Sequence, residues 1–402
     1  MKLRVTMDWV SCSGTVGELD VFHSRGAESY QFTYAAEWAK HGFQIDPALD
    51  LFAGFTHHSQ TLPGVFQDIS PDRWGRLVQK RAKSGISTDT DYLLGVSDFM
   101  RMGALRLSNA DRPEIFLADN TLVPKLVHIR ELEEAARRLE QGAETQSDLA
   151  QLIDAGSSLG GAHPKAVVQD GNTLYLAKFQ SHSDTERVCA WEATMLDLAH
   201  QAGIPTPRHR LLNPTSARPI LLLERFDRNE FGRIPFASAM TLTGRRDGED
   251  ASYAELASVV SSLSPQPKSD SFDLWRRMTF NAMAGNTDDH LRNHAFLRHP
   301  SGWRLSPAYD LNPNPEPVER RTHALAFLPG EYRPSLSLCK ETAEFFNLNK
   351  TQVDHGLKAI AEALAQWRGL AKKNGLTENE LKRFAHAFEH DEVERLKHSV
   401  GV

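Results

Sequence analysis

The sequence is short of cysteine, of long apolar runs and of net positive charge, and each shortage excludes something. Its three cysteines, Cys12, Cys189 and Cys339, lie far apart in 402 residues and make no CxxC pair. That argues against a disulfide framework or a cysteine-rich zinc site. No apolar stretch approaches the ~20 residues that a membrane-crossing helix requires. The opening "MKLRVTMDWVSCSGTVGELDVF" alternates as strands do, instead of carrying the continuous apolar core of a signal peptide. The expectation is a soluble, cytoplasmic chain with no membrane partner. At a net charge of −6, the molecule as a whole is no electrostatic cradle for nucleic acid. The local basic stretch "RWGRLVQKRAK" (73–83) reads as the solvated face of a helix, with contact to a polyanion or acidic partner as the alternative.

What is present is an ordinary soluble composition, 40% hydrophobic and 24% charged, in a chain long enough for two or three lobes. Residues 1–110 mix strand-like segments ("KLRVTMDW", "GTVGELDVF", "YQFTYAAEW") with the helix "PDRWGRLVQKRAK", whose Pro71 is placed at the first turn. The part from 111 to 235 carries two helical patterns broken near Gly142, a glycine-containing loop, and a hairpin turning at Asp170-Gly171. There follow an amphipathic helix with Ser183 or Asp184 as N-cap and a buried strand in "RPILLLERFDR" (218–228). From 236 to 402 the pattern is predominantly helical, with a stop at "KNG" (373–375). The fold class expected is α+β.

Four features occur in one order along the chain. They are the loop "SSLGGAHPKA", Lys178 on the second hairpin strand, Glu192 in the next helix, and the polar string "GNTDDHLRNHAF" (285–296) followed by Asp310 in "SPAYDL". Phosphoryl transfer from a nucleotide needs parts of these kinds. Small residues let backbone N–H groups approach phosphate oxygens, and a strand lysine held by a helix carboxylate offsets phosphate charge. One carboxylate takes the substrate proton, while an asparagine and another aspartate hold Mg²⁺, which prefers hard oxygen ligands. Asp288 and Asn293 have the D-x-x-x-x-N spacing of a kinase catalytic loop. The segment "HAFLRHPSGWRLSPAY" between Asn293 and Asp310 is a natural hairpin, with Ser-Gly at its turn, able to return Asp310 beside Asn293. Each part alone has a plainer reading: a turn, a solubilising lysine, a solvent-facing glutamate, helix-capping aspartates.

On "SSLGGAHPK" (157–165), "LAKF" (176–179), "LLLERFDR" (221–228), "GNTDDHLRNHAF" and "SPAYDL", the sequence resembles the HipA family, the serine/threonine kinase toxins of bacterial toxin–antitoxin pairs. "VGEL", "LPGVFQDISPDRWGR" and "GALRL" resemble that family's N-terminal subdomain, so the likeness runs over nearly the whole chain. It implies a two-lobed protein-kinase-like fold with an N-terminal add-on, and ATP and Mg²⁺ as cofactors. By position, Lys178 would contact the phosphates, Asp288 would be the catalytic aspartate, and His290 would brace its loop. Asn293 and Asp310 would bind the metal. Ser158, Gly160, Gly161, Ala162, His163 and Lys165 would line the phosphate-covering loop, and Glu224 and Phe226 would flank the adenine. Ser158, with Ser157 beside it, aligns with the autophosphorylated serine. The target implied is a serine or threonine of a protein, an aminoacyl-tRNA synthetase or another translation factor among the candidates. The partner implied is a HipB-like helix-turn-helix antitoxin, with DNA reached indirectly through it. The absent G-x-G-x-x-G, H-R-D and D-F-G strings fit the HipA pattern, where Tyr309-Asp310-Leu311 stands in the last place. Two other readings stand beside this one: an inactive kinase-fold corepressor, and a metal-dependent hydrolase using Asp288, Asp289, His290 and His294.

Overall fold

Apolar side chains at every second position build the N-terminal sheet. Leu3, Val5 and Met7 are buried along β1 (Lys2–Met7), and Leu19 and Val21 along β2 (Gly14–Ser24); a period of two gives each strand one buried face. With β3 (Ala27–Tyr34), β4 (Thr56–Ser59), β5 (Leu105–Asn109) and β6 (Arg112–Phe116) they form a sheet in the order β4-β3-β2-β1-β5-β6. Four short helices, α1 (Ala36–His41), α2 (Gly64–Asp68), α3 (Arg73–Ala82) and α4 (Asp89–Leu94), are interspersed with it. The computed structural model describes residues 1–24, 26–118, 123–156, 161 and 163–402. These form two units, Met1–His182 with Glu224–Gly244, and Ser183–Leu223 with Arg245–Val402.

The first unit continues with α5 (Ile129–Glu140) and α6 (Gln146–Asp154), then the antiparallel hairpin of β7 (Lys165–Asp170) and β8 (Thr173–Lys178). Its turn places Gly171 at φ +59°, which glycine adopts at no steric cost. The chain passes to the second unit through α7 (Val188–Gln201) and the antiparallel pair β9 (His209–Leu212) and β10 (Ile220–Glu224). It returns to the first as β11 (Arg228–Asn229), β12 (Gly232–Arg233), β13 (Phe236–Ser238) and α8 (Ala239–Leu242).

The rest of the second unit is mostly helical. It holds α9 (Tyr253–Leu263), α10 (Pro267–Ala284), the hairpin of β14 (Ala295–His299) and β15 (Gly302–Leu305), and α11 (Leu336–Glu341). After these come α12 (Lys350–Leu364), α13 (Trp367–Lys373), α14 (Glu378–Phe388) and α15 (Asp391–Val400). Aromatic stacking ties α7 to α14, with the Trp191 and Phe384 ring centroids 4.3 Å apart, and α13 to α14, with those of Trp367 and Phe388 4.7 Å apart. No helix among the described residues is long and apolar enough to cross a membrane.

Several local expectations shift. The strand expected over "YQFTYAAEW" ends at Tyr34, because α1 begins at Ala36 and buries Trp38. Pro71 precedes the α3 N-cap instead of entering the first turn; Asp72 caps, accepting the Gly75 N–H at 2.8 Å. Neither Ser183 nor Asp184 caps α7, which starts at Val188 after Arg187. The side chains before it are engaged elsewhere, since Glu186 pairs with Arg383 and Arg187 binds Glu380 at 2.8 Å. Tertiary ion pairs here override the local helix start. The second hairpin turns at Pro300-Ser301, with Gly302 already paired to His299.

Candidate active site

In the first unit, the β7–β8 register sets Lys165 opposite Lys178. Two like charges facing across a hairpin repel. The buried Lys165 amine lies 2.5 Å from Asp72, the residue that also caps α3. Trp74 donates its indole N–H to the Lys165 carbonyl at 2.9 Å, so α3 holds this end of β7 through both side chain and backbone. Lys178 is buried at the end of β8. Gly161 stands at φ +107°, where a Cβ would meet the Lys165 Nζ at 3.2 Å.

In the second unit the polar string begins where α10 ends. Gly285 is the cap, at φ +69°, and any Cβ there would strike the Arg321 guanidinium at 2.9 Å. Glycine is therefore required twice over, by backbone conformation and by space. Beyond it, alternate side chains turn opposite ways. Asp289 is buried and accepts from the Tyr253 hydroxyl, while its Oδ2 lies 2.9 Å from His294 Nε2. Tyr253 also receives the Asn281 amide N–H at 3.3 Å, and Asn281 Oδ1 accepts from Asn286 Nδ2 at 3.2 Å. Burial opposes ionisation of Asp289, yet His294 and Tyr253 hold its carboxyl below the usual aspartate range. Burial, reinforced by the Asp289 charge, pushes the Tyr253 phenol well above its ordinary value.

Asp288 has the opposite surroundings: its side chain is exposed. Partial loss of water around the carboxyl raises its pKa, His290 pulls it down, and the charges of Asp310 and Asp289 raise it further. Asn293 donates its side-chain N–H to the Asp288 carbonyl at 3.0 Å, which turns its amide oxygen the other way. Its backbone N–H donates to the His290 carbonyl at 2.8 Å, closing the short turn.

The segment carrying Asp310 is strapped onto this loop. Tyr309 donates its hydroxyl to the Arg292 carbonyl at 2.7 Å, and the Asn312 N–H reaches Asn286 Oδ1 at 3.3 Å. Asn314 donates its backbone N–H to the Gly285 carbonyl at 2.8 Å and its side chain to Thr287 Oγ1 at 2.9 Å. Asp310 itself sits at φ +58°, a conformation that costs a non-glycine residue about 1–3 kcal/mol and persists only when its surroundings over-determine it. Asp288, Asn293 and Asp310 thus form one cluster at the end of α10. Among the described residues no group of three His, Cys, Asp or Glu side chains is set to hold a metal. A hard ion held by one or two carboxylates and an amide oxygen, its remaining positions filled by water and phosphate, suits magnesium chemistry.

Residues 157–373, more than half of the chain, match the HipA-like C-terminal domain, and residues 10–108 match the HipA N-terminal domain. The chain belongs to the HipA family. Among solved structures it is similar to a chain of the Shewanella oneidensis MR-1 toxin–antitoxin complex of HipA, HipB and operator DNA. That likeness has a TM-score of 0.68 at 16% identity, over 99% of this chain and 97% of that one. A second likeness is to the Helicobacter pylori proinflammatory kinase CtkA, with a TM-score of 0.47 at 14% identity, over 60% of this chain and 90% of that one. No curated protein matches in sequence. The α+β, kinase-like fold expected of a HipA protein is the fold observed.

Against the HipA pattern, the second unit brings Asp288, Asn293 and Asp310 together with His290, which is half-buried. His294 does not form a helical metal pair with His290: the intervening Leu291–Asn293 is a single tight turn and the His294 ring faces Asp289. Glu224 and Phe226 are half-buried, and His163 is exposed. Ser157, Ser158, Gly160 and Ala162 lie outside the described residues. Glu192 is buried, not solvent-facing. Sequence reasoning missed Tyr253, Asn281 and Asp72. The first two look like ordinary polar residues of amphipathic helices, and the third like a helix cap.

Proposed function

We propose that this HipA-family chain is an ATP- and Mg²⁺-dependent kinase that phosphorylates a serine or threonine of a protein. The observation that supports it most is the cluster at the end of α10, where Asp288 feels the Asp310 charge and Asn293 is tied to the Asp288 backbone. Three groups in kinase spacing, strapped together by a segment held in a costly backbone conformation, suit positioned phosphoryl transfer better than a surface turn.

In this reading Asp288 accepts the proton of the substrate hydroxyl. The hydroxyl oxygen bonds to the γ-phosphorus as the bond to the β–γ bridging oxygen breaks, and ADP departs. Asn293 and Asp310 would hold Mg²⁺, which offsets the phosphate charge when bound. Lys178 contacts the phosphates, His290 braces the loop, and Glu224 and Phe226 flank the adenine. Lys165 lines the phosphate-covering loop together with Gly161 and His163, its own charge matched by Asp72.

By kinship with the complex of HipA, HipB and operator DNA, the partner is a HipB-like antitoxin, and DNA is reached through it. The protein's own loop, at Ser158 or Ser157, is a further acceptor. A phosphate there adds roughly −1.5 to −2 charges beside the phosphate site and shuts the enzyme off.

The test uses phosphatase-treated protein with radiolabelled ATP and Mg²⁺, wild type against Asp288→Asn, with mass spectrometry at 157–158. Label transferred by the wild type alone supports the reading. Equal phosphorylation of both proteins ends the self-regulation idea. Absence of transfer and of ATP binding, with a helix-turn-helix partner still bound, would favour an inactive corepressor.

A further inference from the structure

Outside the polar loop, a cluster of charge lies in the first unit, where residues 225–233 meet the loop 98–103. Arg225 forks onto Asp227 at 2.9 and 2.6 Å and donates to the Met100 carbonyl at 2.7 Å. Asp227 in turn accepts the Gly103 N–H at 2.8 Å. Arg228 donates to the carbonyls of Phe99, Arg101 and Gly103 at 3.1, 2.8 and 3.1 Å, and Arg233 to that of Asp98 at 2.7 Å. Three arginines thus hold the carbonyls of Asp98, Phe99, Met100, Arg101 and Gly103. Arg225 and Asp227 are buried.

Buried ion pairs add little net stability, because desolvation offsets their attraction; their best-attested use is to fix one arrangement among several. The arrangement fixed here is the backbone of 224–228. The Arg225 N–H donates to the Leu174 carbonyl of β8 at 2.9 Å, so the segment is held from that side too. Glu224 and Phe226, the neighbours of the locked pair, are only half-buried.

We infer that the loop 98–103 is a positioning element for nucleotide binding: it sets where Glu224 and Phe226 stand, so adenine affinity depends on a loop in the N-terminal part of the chain. The inference rests on the reading above in which those two residues flank the adenine. None of the three arginines touches ligand in it; they act through the backbone between them.

The test is Arg228→Lys in the full chain, which keeps the charge and replaces a rigid fork by a single point donor. Adenosine and tripolyphosphate are titrated separately, with the melting curve recorded. The expected result is an adenosine affinity about tenfold weaker with tripolyphosphate affinity within about twofold of wild type. Equal weakening of both ligands, or unchanged adenosine affinity in a folded variant, overturns the proposal. Should Arg228→Lys fail to fold, Arg233→Lys is judged by the same two affinities. A wild-type protein that binds tripolyphosphate but no adenosine removes the adenine assignment, and with it this inference, while leaving the phosphate chemistry standing.

Discussion

Two regions concentrate charge in this protein, and they treat it differently. In the arginine lock of the first unit, Asp227 is surrounded by Arg225, Arg228 and the Gly103 N–H, and despite full burial its carboxyl is held well below the usual range. Burial in turn lowers the Arg228 guanidinium to about 9. In the polar loop of the second unit the compensation is one-sided. Asp289 has Tyr253 and His294, whereas Asp288 stands exposed, with His290 pulling its pKa down and the charges of Asp310 and Asp289 pushing it up. The buried charges of the lock are matched on the spot, while the exposed Asp288 keeps two carboxylates among its neighbours, the setting that a proposed catalytic carboxylate would need.

That contrast can be broken most directly at Asp288. Asp288→Asn is expected to lower phosphoryl transfer by roughly 10²–10⁴-fold while leaving the melting temperature unchanged or higher, since a like-charge contact is relieved. A large loss of thermal stability would place Asp288 with the structural charges and dissolve the distinction. The converse is expected of Asp227→Ala, which takes the carboxylate from the buried Arg225 and the half-buried Arg228 and costs on the order of 3–5 kcal/mol in denaturant unfolding; an unaltered midpoint would contradict the lock.

His323 offers a pH test. It is buried beside Phe327, and burial lowers its pKa to about 4, partly resisted by the Asp289 charge. Because the folded value lies below the unfolded one, the unfolded chain binds the extra proton first. Stability from this group is complete above about pH 6.5 and is lost as pH falls towards 4, a span of about 3 kcal/mol. Replacing His323 with Leu should flatten the melting-temperature profile across that window. The smallest effect expected is that of Tyr253→Phe, which removes one hydrogen bond to the buried Asp289 and costs about 1.5–3 kcal/mol. It loosens the supported, Asp289 side of the loop. The rate per folded molecule should fall with it if Asp289 orients Asp288, and should hold if the bond is purely structural.

Much of the candidate site was legible because its parts are near in sequence. Asp288 and Asn293 belong to one short turn, and the β14–β15 hairpin is the simplest route by which Asp310 comes back to them. The β7–β8 hairpin was equally local, with a glycine turn between two apolar strands. What could not be read were partners supplied from afar. Tyr253 reaches Asp289 across 36 positions and Asp72 reaches Lys165 across 93. Nothing in the composition of α9 or α3 marks either residue as different from its neighbours.

Periodicity and turn chemistry by themselves determined the alternating strands, the helical C-terminal part, the hairpin turn at Gly171 and the spacing of the catalytic candidates, because each depends on neighbouring residues alone. Tertiary structure decided which of two adjacent aspartates is buried and which exposed, that Asp72 arrives to pair with Lys165, and where α7 starts. Those choices turn on the free energy of removing a charge from water, and that is set by whichever distant segment arrives to compensate it.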